Sequence, residues 1–287
     1  MKLHATVLLS LGAAGLLSAC NESAYYPVHP TIPMVSEVKQ TEVSAGIDQN
    51  GFGYARASAA PLKHLLLTGT ASGRFWGPAQ LRPQRNDERN QHQWEAGLGT
   101  FTQLSPNTTI GLLGGYGQGR SEYQRFQSSL LSSIWGNTSR EYRRYETATS
   151  HWYGQAYLVT NLTPLTAAVQ FRLGAAYRLS LVNYRQFSNQ QYLYYPDNTS
   201  YVQDAAHYEV PNVLWHSVSS TAEVRLKSWP AVGLQASLGA AVPQRTSQAD
   251  NADQSGYRSE VSGRSTWGHT SIGVTLNPHY LLRRKAQ

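Results

Sequence analysis

The stretch from Thr166 to Leu181, TAAVQFRLGAAYRLSL, decides the fold. Taken at alternate positions it separates into two sets. One holds Ala167, Val169, Phe171, Leu173, Ala175, Tyr177, Leu179 and Leu181. The other holds Thr166, Ala168, Gln170, Arg172, Gly174, Ala176, Arg178 and Ser180. A period of two sustained over this length is the signature of a β-strand, whose successive side chains point to opposite faces.

The same division recurs on both sides of it. In 231–242, Val232, Leu234, Ala236, Leu238, Ala240 and Val242 oppose Gly233, Gln235, Ser237 and Gly239. In 214–226, Leu214, Val218, Ala222, Val224 and Leu226 oppose Ser219, Thr221, Glu223 and Arg225. Residues 92–103 set Trp94, Ala96 and Leu98 against Glu95, Gly97 and Gly99. Short proline-containing turns join the strands in pairs, at Ala60–Lys63, Leu104–Asn107, Leu162–Leu165 and Ser228–Ala231, because proline presets a turn and cannot donate to a ladder. Long polar segments (77–91, 123–146, 185–211 and 245–261) separate the pairs. The pattern predicts ten strands, at 40–49, 51–60, 64–76, 92–103, 108–122, 147–161, 166–184, 212–227, 231–244 and 264–276; without the first pair, joined at Asn50-Gly51, the count is eight. Short turns fall at one end and long loops at the other.

Composition narrows the class. Charged residues are 14% of the 287, below the ~25% of ordinary soluble domains. Mean hydropathy is nevertheless −0.43, so the chain is polar but uncharged. One cysteine excludes a disulfide scaffold, and no apolar run is long enough for a membrane helix. Alternation alone leaves two barrels open: a lipocalin-like one with an apolar interior, and a membrane-spanning one with the reverse polarity. Scarce lysine, a glycine-rich polar face, the asymmetry of turns and loops, and tryptophans near strand ends (Trp76, Trp94, Trp152, Trp215, Trp267, Trp229) favour the second. By strict parity Trp215 and Trp267 fall on the polar face. In this pattern, over about 40–276, the chain resembles the small monomeric outer-membrane barrels of Gram-negative bacteria. The resemblance implies an all-β, antiparallel up-and-down transmembrane β-barrel with periplasmic turns and extracellular loops. The end of the chain departs from it: Asn277-Pro278-His279-Tyr280 and a basic tail, 279–287, follow the last strand in place of a terminal phenylalanine.

The N-terminal segment carries an address. Lys2 precedes an apolar stretch from Ala5 to Leu17, of signal-peptide rather than membrane-spanning length, and Leu17-Ser18-Ala19-Cys20 follows. This resembles the lipobox of bacterial lipoproteins. The resemblance implies removal of residues 1–19, acylation of Cys20 and a lipid-anchored protein. Asn21, in place of the aspartate that favours inner-membrane retention in some bacteria, points to the outer membrane. Residues 20–39, with Tyr25, Tyr26, Pro27, Pro30 and Pro33, read as an extended tether, and 40–278 as the barrel domain. An even strand number puts both chain ends on the short-turn side.

If the polar face lines a lumen, that lumen holds Glu42, Asp48, Arg56, Arg74, Glu95, Arg172, Arg178, Glu223 and Arg225. Confined there they are expected to pair as salt bridges, with Glu95 and Glu223 facing Arg172 and Arg225; the sharper alternative is a narrow, arginine-lined ion path. His269 and Ser271 share one face of the last strand, in an arrangement similar to that of outer-membrane lipid A deacylases, but on the polar side. His92, His151 and His216 lack metal-ligand spacing, and no phosphate-binding loop occurs. No catalytic residue, metal or other cofactor is therefore expected. The arginine-rich loops suit outer-membrane lipid and lipopolysaccharide phosphate better than nucleic acid, and the tyrosines from Tyr184 to Tyr201 suit a surface contact. The sequence thus predicts a monomeric, non-enzymatic outer-membrane protein, lipid-anchored through Cys20, with a structural or surface-interaction role. A soluble ligand-binding lipoprotein and a barrel enzyme acting on lipid are its alternatives.

Overall fold

The computed structural model describes residues 27–28, 30–49, 51–74, 88–128, 140–163, 168–194, 200–207, 210–244 and 267–280. The described strands are β1 (Thr41–Asp48), β2 (Phe52–Leu62), β3 (Leu65–Arg74), β4 (Glu88–Ser105), β5 (Thr108–Ser128), β6 (Arg140–Asn161), β7 (Val169–Tyr194), β8 (Ser200–His207), β9 (Val210–Leu226), β10 (Val232–Gln244) and β11 (Trp267–Leu276). Each pairs antiparallel with its neighbour. β1 pairs with β11 and β6 with β7, so the sheet closes on itself. β8 pairs with the upper part of β7, and β9 with the lower part, so the two together make one interrupted stave. The result is a closed ten-stave antiparallel up-and-down barrel.

Four sequence expectations are corrected. The short turn after β2 is Lys63-His64; Pro61 lies inside the strand at a bulge between Ala59 and Leu62, where the missing N–H costs no ladder bond. The segments expected as loops from 123 to 146 and from 185 to 211 contain ladder: β5, β6 and β7 run well past the expected limits, and β8 pairs with β7. Polar residues fall at both parities in those extensions, so hydropathy does not alternate there, yet the backbone still pairs. Tyr184 points into the barrel and is 5% exposed, so it belongs to no surface patch.

The fourth correction concerns residues 27–35. The described ones, 27–28 and 30–35, are not a solvated tether but chain threaded through the lumen, with Val28, Ile32, Met34 and Val35 all buried. Pro27 lies beside Asp48, Phe52 and Trp267 at the long-loop end. Met34 lies against Arg172 near the start of β7, and Ser36 accepts a bond from Gln103 at the foot of β4. The segment therefore descends the lumen, turns through Lys39 (φ 63°) and rises again as β1. The barrel's own ends are both at the short-turn side, as an even number requires, but the chain before β1 doubles back.

Glycines on the inner face make this possible. A Cβ on Gly174 would sit 2.6 Å from Cγ2 of Ile32. Gly115 and Gly97 lie under the Tyr153 ring, Gly111 under Tyr157, and Gly46 and Gly273 under Tyr54. Each missing side chain on one stave is filled by a large one from a neighbouring stave or from the threaded segment, which keeps the interior close-packed. In a barrel of this size inward side chains by themselves can fill the interior; here the glycines leave space for an added strand.

The outer surface has the opposite character. Ile272, Leu234 and Trp152 are each 66% exposed, and Leu98, Leu112, Leu173, Val218 and Val274 are also exposed. Water does not tolerate a contiguous apolar wall of this extent. The lysines among the described residues, Lys39, Lys63 and Lys227, all sit at the short-turn end. This is the polarity of an outer-membrane barrel: apolar side chains outward, polar side chains inward.

Candidate functional site

The lumen gathers the charged strand residues into two clusters. In the first, Glu95 of β4 receives two bonds from Arg178 of β7, Nη1 to Oε2 at 3.0 Å and Nη2 to Oε1 at 2.5 Å. His151 of β6 meets the same carboxylate, Nε2 to Oε1 at 2.6 Å. The Arg178 guanidinium lies 3.8 Å over the Tyr153 ring, and its Nε donates to Ser180. The cluster ties staves on opposite sides of β5, so it braces the barrel across its bore rather than along one ladder.

The second cluster sits lower, at the short-turn end. Arg172 and Glu223 are register partners on β7 and β9, and Nε of Arg172 donates to Oε1 of Glu223 at 3.1 Å. Arg225, two residues along β9 and so on the same face, approaches that oxygen to 2.7 Å. Arg172 also donates from Nη1 to the backbone carbonyl of Met34 at 2.6 Å. Arg225 donates to the carbonyl of Pro230 in the β9–β10 turn. Glu42 is buried within the same group and accepts from the Met34 backbone.

The threaded segment depends on these side chains for its backbone bonds. Among the described residues it pairs with no strand, so its polar groups must be satisfied otherwise. The Thr31 carbonyl accepts from Nε2 of Gln155 at 2.5 Å, the Thr31 hydroxyl meets Thr70 at 2.9 Å, and Met34 is held by Arg172 and Glu42. Pro30 and Pro33 have no N–H to satisfy, which suits a chain passing through a bore without a partner strand.

The remaining candidates are placed apart from these clusters. Arg56 is 5% exposed and lies 4.3 Å over the Tyr54 ring, with no carboxylate at ion-pair distance among the described residues. Arg74 ends β3 at the long-loop mouth, half-buried. Asp48 accepts from the Phe52 backbone and closes the β1–β2 turn. The expected partnership of Glu95 with Arg172 or Arg225 does not occur; its partners are Arg178 and His151. His151 carries no ligand spacing in sequence, and its role depends on a register that only the fold supplies. His269 and Ser271 both point inward, 2% and 4% exposed, with Ser271 opposite Asp48 on β1. Neither faces the outer wall. Among the described residues no His, Cys, Asp and Glu group has the arrangement of a metal centre. Cys20 lies outside the described residues.

No protein-family model matches the chain, and no curated protein matches its sequence. Among solved structures it is similar to the translocator domain of the autotransporter NalP from Neisseria meningitidis, with a TM-score of 0.38, 9% identity, and coverage of 83% of this chain and 86% of that one. It is also similar to the TodX monoaromatic hydrocarbon channel deltaS2 mutant (TM-score 0.38, 9% identity, 83% and 87% coverage) and to LpxR from Salmonella typhimurium (TM-score 0.34, 9% identity, 83% and 99% coverage). The fold rests on the closed ladder of the chain's own strands.

Proposed function

We propose that the protein is a lipid-anchored outer-membrane barrel with a sealed lumen, serving a structural or surface-interaction role and catalysing no reaction. One observation carries this: the described part of the bore is occupied by residues 27–28 and 30–35 and by two ion-pair clusters. A lipocalin-like function would need an interior open to a ligand, whereas here the described interior is filled, by the ion-pair clusters and by an apolar cluster of Ile32, Met34 and Val35 with Leu66, Phe101 and Leu113. An enzyme acting on lipid through His269 and Ser271 would need them on the outer wall, and they face inward. Both features support the non-enzymatic reading.

Acylation of Cys20 supplies the anchor. Several acyl chains hold a protein stably, at ~0.8 kcal/mol per buried methylene. Seven residues lead from Cys20 to Pro27, so an extended chain at ~3.6 Å per residue lets the anchor reach up to roughly 25 Å from Pro27.

Fractionation of a Cys20→Ser variant is the test. The expected outcome is loss of acyl label with the protein still in the carbonate-resistant membrane fraction and still migrating as a heat-modifiable band. A fully soluble variant would show that lipid, not the barrel, holds the protein in the membrane. Unchanged acyl labelling would remove Cys20 as the anchor.

A further inference from the structure

Above the apolar belt, the outer wall of β4 to β7 is layered. Trp94, Tyr116 and Trp152 form an aromatic patch, with ring centroids 6.2 Å apart between Trp94 and Tyr116 and 4.9 Å between Tyr116 and Trp152. Trp152 faces the outside next to Leu181, its register partner. One outward step higher lie Gln118 and Ser150, and one step beyond them Arg120 and Ala148. At this height β7 carries a bulge, and the extra residue, Arg185, is turned outward. Bulges of this kind re-aim a side chain. Arg185 lies flat on the wall: Nε donates to the Ser150 hydroxyl at 3.2 Å and Nη2 to the Tyr116 hydroxyl at 2.9 Å.

Among the described residues the charge at this level is unbalanced. Arg144 has both Glu122 (2.9 Å) and Glu146 (2.7 Å). Among the described residues Arg120 reaches only Glu146, at 3.7 Å, with its side chain 71% exposed. Arg185 has no carboxylate at ion-pair distance among the described residues. Two guanidinium groups are thus set just above the aromatic layer, where the polar headgroups of a bilayer lie. Arginine there offers paired donors suited to phosphate oxygens, and the hydroxyls of Tyr116 and Ser150 hold one of the two guanidinium groups in place.

We propose that Arg185 and Arg120 bind the phosphate of a phosphorylated saccharolipid of the lipid A type, whose acyl chains lie against Trp94, Trp152 and Leu181. This inference rests on the membrane-spanning reading, and it names a specific lipid site on the wall. The occupant is a lipid rather than free phosphate because the cations lie directly above an exposed apolar and aromatic surface of Trp94, Trp152 and Leu181.

The test is native mass spectrometry of the full-length protein in detergent micelles doped with diphosphoryl lipid A. Wild-type protein is expected to retain the lipid. The double variant Arg120→Gln/Arg185→Gln should hold it about tenfold less tightly or worse, since each substitution removes a charge-assisted contact. Arg185→Lys, which keeps the charge, should stay closer to wild type than the double variant. A dephosphorylated analogue should bind both proteins equally, and 1 M salt should release lipid A from wild type. Equal retention by wild type and double variant, no effect of salt, or displacement by inorganic phosphate at equal concentration would each overturn the proposal. If the protein still shows heat-modifiable migration while binding fails, the lipid site is wrong and the barrel stands. If that migration is absent, the membrane reading itself has failed.

Discussion

Replacing Glu95 with alanine is expected to cost the barrel about 3–5 kcal/mol. The carboxylate is the shared partner of Arg178 and His151, all three buried in the lumen. Removing it leaves a guanidinium in the bore without its carboxylate, and the penalty of breaking a buried pair from one side is of that size. For a chain of this length such a loss lowers the unfolding transition by on the order of 10 °C. The transition can be followed as the temperature at which the folded band converts to the unfolded one on a gel. The pair should behave as a unit. Glu95→Ala combined with Arg178→Leu should recover part of the loss, because the buried charge has been removed with its partner. If the single and double variants melt together, the cross-bore tie does not carry the stability assigned to it.

The second large effect concerns the threaded segment. Deleting residues 27–35 while keeping the signal peptide and Cys20 should convert a silent barrel into a conducting one. Intact protein in a planar bilayer is expected to give no single-channel steps, and the deletion to give steps of uniform size. The bore it opens is lined by Arg172, Arg225, Glu223 and Gln155, all polar, so water would enter once the chain is gone. A second variant checks that the segment lies where described. Ile32→Cys with Gly174→Cys, in a Cys20→Ser background, should oxidise to an intramolecular disulfide, because these positions are in contact across the lumen. Absence of that bond together with conductance by the intact protein would mean that the segment does not occupy the bore.

The barrel itself was legible because its strands alternate. In 166–181 and 231–242 every second residue is apolar, and the polar set, which scarce lysine, glycine content and the asymmetry of turns and loops put inside, is the buried one: Arg172, Arg178, Gln235 and Ser237 inside, Leu173, Leu179, Leu234 and Val242 outside. Parity also placed Trp215 correctly, inside and 1% exposed. Register was another matter. Glu95 and Arg178 lie on staves β4 and β7, and their meeting depends on how far the sheet curls and shears, which no local pattern records. The same holds for His151, whose sequence neighbours say nothing of Glu95.

The threaded segment was missed for a different reason. Residues 27–35 lack periodicity because the described ones, 27–28 and 30–35, are enclosed in the bore, and an enclosed chain has no exposed face to show. The clue was their apolar content. Val28, Ile32, Met34 and Val35 are poor residues for a solvated linker, and the two prolines mark a backbone that needs few partners rather than one that wanders. The extended ladder of β5 to β7 was hidden because polar residues fall at both parities there.

The measurement closest to the central claim uses two tryptophans in opposite environments. Trp152 is 66% exposed on the outer wall, and Trp215 is 1% exposed inside the bore. Variants that retain only one or the other can be folded into bilayers containing brominated lipid. An inside-out barrel predicts strong quenching of Trp152 by the bromine atoms and little quenching of Trp215, with dissolved iodide reaching neither well. If iodide quenches Trp152 while brominated lipid does not, the apolar wall faces water and the protein does not span a membrane.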